Sequence, residues 1–139
     1  MFSAEQVWEM SAEVDRQLAA ARVMPIADEK DAMDEIRRLR SQLQVQKEAI
    51  VVATGEEAEG FLRKFARASR RDLCEEGGLL YEQWKKYTDL ENEKTLRSVG
   101  IVLGAMGLAG QPLTSVAIAM TVMMLHLGVK TMCEEYGEK

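Results

Sequence analysis

With 139 residues, 18 basic and 23 acidic side chains and a net charge of −5, the chain has room for one domain with a real core. It offers no overall electrostatic attraction to nucleic acid or to anionic lipid, so either would need a local basic patch. Two prolines, 6% aromatic residues and a composition led by Ala, Leu, Met, Glu, Lys, Arg and Gln predict an all-α fold of about five helices, a single helical domain over residues 1–139.

Residues 1–10 lack the basic and apolar regions of a secretory signal, and Glu5 and Glu9 are wrong for an organelle presequence, which points to the cytoplasm. Ser3 and Gln6 have capping-box spacing, so a first helix is expected from about Ala4 to Val23, ended by Pro25. Val7, Met10, Val14, Leu18 and Ala21 recur at helical spacing and make one apolar side, which Trp8 widens. A second helix follows Asp28, with Glu29, Asp31, Asp34 and Glu35 in its first turns and Arg37, Arg38 and Arg40 after them, a charge order that complements the helix dipole. Ala32, Ile36, Leu39, Leu43, Gln46, Ile50 and Ala53 then alternate at four and three, a coiled-coil-like seam that serves either an antiparallel bundle or a dimer.

Thr54 and Glu57 repeat the capping spacing, giving a third helix over about Gly55 to Glu76 with Ala58, Phe61, Leu62 and Phe65 on its apolar face. On the opposite side Arg63, Arg67, Arg70 and Arg71 form a basic face, which reads as solvated or as a dock for an acidic partner. Glu56, Glu57, Glu59 and Asp72 on the same helix nearly cancel it, and with no interleaved aromatic residue nucleic acid is disfavoured. Gly77 and Gly78 follow as left-handed terminators. Leu80, Trp84 and Tyr87 carry helical spacing on, and Thr88 to Glu91 offer another capping signature, so a helix begun near Leu79 either bends there or runs on through Leu96 and Val99.

Ser98 to Val129 carry no formal charge, in contrast to residues 1–97 and to the polar tail of residues 130–139. Gly110-Gln111-Pro112 divides this stretch into two arms of about 20 Å and 26 Å, short of a hydrocarbon thickness of about 30 Å, so it reads as a hydrophobic helical hairpin. Gly100, Gly104 and Gly107 fall in one smooth stripe along the first arm, expected to let the second arm approach through Ser115, Ala117 and Ala119. Two helices apolar on nearly every side need more cover than three amphipathic stripes provide, so an exposed surface rich in Met106, Met120, Met123, Met124 and Leu127 is expected.

Chemistry is harder to find. Cys74 and Cys133 stand far apart with no second thiol or histidine at ligand spacing, which indicates neither a zinc site nor a disulfide and suits a reducing compartment. His126 has no nucleophile and orienting partner at hand, no paired carboxylates occupy an apolar helix, and no phosphate loop follows a strand. No catalytic residue, metal site or cofactor is therefore expected, and the chain reads as non-enzymatic. The expected function is an interaction or assembly protein that binds itself or another protein through the Gly- and Met-rich hairpin, with Ile36, Leu39, Leu43 and Ile50 as a second contact. The alternative is a membrane-active or membrane-anchored protein that inserts residues 98–129.

Overall fold

A computed structural model describes residues 2–22, 43–78, 81–82, 92–127 and 132–133. Its regular structure is all helical: α1 (Ala4–Arg22), α2 (Gln44–Thr54), α3 (Ala58–Ala68), the single turn α4 (Arg70–Leu73), α5 (Asn92–Ala105) and α6 (Gly110–Leu127), with no strand among the described residues. Pro25, Ala32, Ile36, Leu39, the acidic turns between them, Leu80, Trp84, Tyr87, Thr88 to Glu91 and the tail beyond Cys133 lie outside the described residues.

α1 starts where the capping box requires. The Ser3 N–H donates to Gln6 Oε1 at 2.9 Å and the Gln6 N–H donates to Ser3 Oγ at 3.1 Å, so two backbone donors at the helix start are satisfied reciprocally. Val7, Met10, Val14 and Leu18 are buried, but Trp8 is 70% exposed and does not widen their face. It sits at the edge of that face, over a surface groove beside α5.

In α2 the seam residues Leu43, Gln46 and Ile50 are buried inside the chain. Gln46 Nε2 donates to Gln17 Oε1 at 2.9 Å and Gln17 Nε2 to Glu13 Oε2 at 2.8 Å, a polar relay that ties the polar seam position to α1. The helix ends at Gly55, in the left-handed region at φ 72°, whose N–H donates to Val51 O. Here the expected capping box does not form. Thr54 closes α2 instead: its hydroxyl donates to Ile50 O at 2.7 Å and accepts the Glu56 N–H at 3.1 Å, and no side chain caps α3.

The expected helix over Gly55 to Glu76 is broken at Ser69, which interrupts α3 and α4. The Ser69 N–H makes the last helical bond to Phe65 O at 2.9 Å, and the Ser69 hydroxyl donates to the same oxygen at 2.8 Å, a back-bond that bends the helix there. Phe61, Leu62, Phe65 and Ala66 are buried, each large side chain contributing about 1.5–3 kcal/mol relative to exposure.

α5 turns Leu96, Val99, Val102 and Leu103 inward and stops five residues before the expected break. Gly107 adopts φ 99°, its N–H donates to Gly104 O at 3.0 Å, and the Leu108 N–H donates to Leu103 O at 3.1 Å. These are the paired bonds of a Schellman terminator, which a residue with a Cβ enters only under strain. Gly110 and Pro112, expected as the break, belong instead to the first turn of α6, where the missing proline N–H costs no helical hydrogen bond.

α6 is the centre of the molecule, packed against α1, α2 and α5, while α3 joins through α2 and α5. Val116, Ala117 and every residue from Ala119 to Met124 are buried, so for more than a turn the helix is covered on all sides. That corrects the expectation of an uncovered methionine surface. Met120, Met123 and Met124 are 0% exposed, because one helix with three neighbours is enclosed although each neighbour offers only a stripe.

The cysteines also depart from expectation. Cys74, just after α4, and Cys133, beyond α6, are joined in a disulfide with Cα atoms 5.8 Å apart. Fifty-nine residues of sequence separate two positions that the fold makes neighbours. The expectation of two unpaired thiols is therefore corrected.

Candidate interaction site

Among the described residues a few large apolar side chains are left outside. On α2 they are Val45 at 63%, Val52 at 86% and Val51 at 44% exposure; elsewhere they are Trp8 on α1 and Ile101 on α5. Val45, the half-buried Ala49 and Val52 stand at i, i+4 and i+7, so they share one side of α2, offset from the buried Leu43–Gln46–Ile50 seam. A short helix of sequence QVQKEAIVVAT thus carries two apolar stripes, one used internally and one not.

The outer stripe borders a groove of about 510 Å³ whose far wall is the start of α6: Gln111, Pro112 and Ser115 face Val45, Ala49 and Val52 across it. Among the described residues its lining includes a single carboxylate, Glu48. A second groove, of about 660 Å³, runs between α1 and α5, with Trp8 and Arg97 among its walls. Asn92 spans its floor, its amide donating to Ser11 O at 2.9 Å and to Asp15 Oδ1 at 3.0 Å, and so locks α1 to α5. This groove is already bridged; the α2–α6 groove is apolar and open.

Among the other expected contact residues, Leu43 and Ile50 are spent in the core, and Ile36 and Leu39 lie outside the described residues. Met106 and Leu127 are half-buried and pack on the core edge. Two of the three stripe glycines do not serve an α5–α6 approach: Gly107 is outside the helix, and a Cβ on Gly100 would lie 2.5 Å from the ring of Phe2, so the close neighbour there is the N-terminal segment.

Arg63, Arg67, Arg70 and Arg71 are all exposed. Two of the carboxylates expected to offset them are committed elsewhere: Glu56 pairs with Lys64 at 2.7 Å and Glu59 reaches across to Lys47 on α2 at 3.1 Å, and among the described residues Arg70 alone of the four has an ion-pair partner, Glu75, at 3.4 Å. Among the described residues no three His, Cys, Asp or Glu side chains gather where a metal ion would be held. His126, in the last turn of α6, is half-buried.

The outer stripe of α2, the exposed Trp8 and the disulfide are the features that sequence reasoning missed. Val45, Ala49 and Val52 carry a helical spacing that was legible; nothing in the spacing of Cys74 and Cys133 announces their pairing. Comparison with protein-family models, with curated proteins and with solved structures finds no match to this chain.

Proposed function

We propose that the protein is a non-enzymatic helical assembly protein that associates with further copies of itself. Its contact is the coiled-coil-like outer face of α2, together with the start of the α6 arm of a C-terminal hydrophobic hairpin made by α5 and α6. The observation that carries this is the exposure of Val45 and Val52, seven residues apart on one side of a helix and bordering an open apolar groove. The nearly uncharged lining favours a second copy as occupant. Two identical faces with one carboxylate each among the described residues meet little like-charge repulsion, whereas a strongly charged ligand finds few counter-charges among those residues. Val–Ala–Val spacing also suits knobs-into-holes packing of α2 on its own copy.

The test is the mass of the protein in solution. Val45→Glu combined with Val52→Glu is expected to change stability by no more than about 0.5 kcal/mol per site, since both side chains are on the surface. It is expected to convert an oligomer into a monomer in size-exclusion chromatography with light scattering. A wild-type chain that runs as a clean monomer, or an unchanged mass for the double variant, counts against the proposal.

One observation favours a second reading, in which the hairpin enters a bilayer. Over Gly110–Leu127 α6 is long and apolar enough by length and composition to cross a membrane, with mean hydropathy 1.3, although half of that stretch is buried in the protein. To insert, α6 has to leave α1, α2 and α5 while the Cys74–Cys133 bridge holds the chain just past its end. This reading therefore expects leakage of dye from loaded vesicles that increases when a dithiol reductant opens the bridge. Vesicles that stay tight under both conditions leave assembly as the function.

A further inference from the structure

The arginine face of α3 and α4 has a counterpart of opposite sign on α1. Arg63 and Arg67 stand at i and i+4, with Arg71 four residues further on, all exposed and without a carboxylate partner among the described residues. Glu5 and Glu9 stand at the same spacing on α1, also exposed and also without a basic partner among the described residues, with Glu13 four residues on. Glu13 is held by Arg16 at 2.8 Å and by Gln17, so Glu5 and Glu9 are the open carboxylates of that face.

Both rows advance about 6 Å per four residues, so guanidinium and carboxylate groups meet in register when the two helices lie side by side. Within one chain they do not meet: α1 packs on α5 and α6 while α3 packs on α2 and α5, and both rows face solvent. Glu56, Glu59 and Glu75 are engaged by Lys64, Lys47 and Arg70, which leaves the exposed Arg63, Arg67 and Arg71 without an ion pair among the described residues, on a chain of net charge −5.

We propose that copies of the chain are joined by a second, ionic contact, in which Arg63 and Arg67 of one copy receive Glu5 and Glu9 of the next. The inference rests on the reading that the protein self-associates and adds a heterologous, head-to-tail contact to the apolar one. Arginine suits the role because its planar fork binds a carboxylate through two parallel hydrogen bonds. Trp8, 70% exposed and adjacent to Glu9, supplies an aromatic anchor beside the ion pairs, on which a guanidinium can stack. Exposed ion pairs are individually weak, so this contact sets direction and salt dependence while the α2 face supplies most of the affinity.

Charge reversal tests it. Arg63→Glu with Arg67→Glu, and separately Glu5→Lys with Glu9→Lys, are each expected to weaken association about tenfold or more, as is raising salt from about 50 to about 500 mM. Mixing the two variants is expected to restore association as a mixed complex, because each now carries the charge the other lost. Circular dichroism is expected to show both variants folded, since the four positions are exposed. If the wild type assembles but the reversals change nothing, or the mixture forms no complex, the ionic contact is wrong while assembly through α2 stands. A monomeric wild type overturns both, and so does one whose arginine face binds only anionic vesicles or phosphate.

Discussion

Met123→Asp is expected to leave the chain without a cooperative fold. Met123 is 0% exposed, on a helix whose neighbouring residues from Ala119 to Met124 are buried as well, so the carboxylate is placed among buried side chains away from water. Losing the buried thioether costs about 2–5 kcal/mol, and desolvating an unpaired carboxyl group adds several more. The sum is comparable with the whole stability of a small domain, about 5–15 kcal/mol. Ile101→Asp, at a position 59% exposed on α5, is the control and is expected within about 0.5 kcal/mol of the wild type. Thermal melting followed by circular dichroism decides. A cooperative Met123→Asp transition within a few degrees of the wild type means that α6 is not enclosed as described.

The second large effect is covalent. Opening the Cys74–Cys133 bridge, by a dithiol reductant or by Cys74→Ser with Cys133→Ser, restores to the unfolded chain the freedom of a loop of 59 residues. In the chain-entropy model that corresponds to about 4 kcal/mol. The measurement is the urea midpoint of the oxidised protein against the reduced protein and the double variant. The last two are expected to coincide with each other and to fall well below the first. Equal midpoints for all three mean that the bridge constrains nothing in solution.

Local signals carried far in this chain. The capping box of Ser3 and Gln6, the buried face of Val7, Met10, Val14 and Leu18, and the apolar side of α3 follow from spacing alone, because each depends on residues within one or two turns. Boundaries set by competition were harder. Gly107 and Pro112 are both helix punctuators, and only the bonds to Gly104 and Leu103 decide that the first ends α5 while the second begins α6. The placement of Met120, Met123 and Met124 depended on how many neighbours α6 gathers, which no stretch of the sequence specifies by itself. An apolar helix destined for the core and one destined for an interface have the same composition. Charge patterning misled for a similar reason: the acids of α3 balance its arginines on paper, yet Glu59 spends itself on Lys47 of another helix.

The central place of α6 also bears on the order of events during synthesis. α6 leaves the ribosome after α1, α2 and α5, about a hundred residues after α1, and it is the one on which all three pack. Until Leu127 has emerged, the apolar sides of Val7, Met10, Val14 and Ile50 have no central helix to close on. The core therefore assembles late and from distant parts, a topology that slows folding and prolongs the exposure of sticky surface. The covalent lock waits longer still, since Cys133 follows α6, and it seals a structure whose packing must already have found its register.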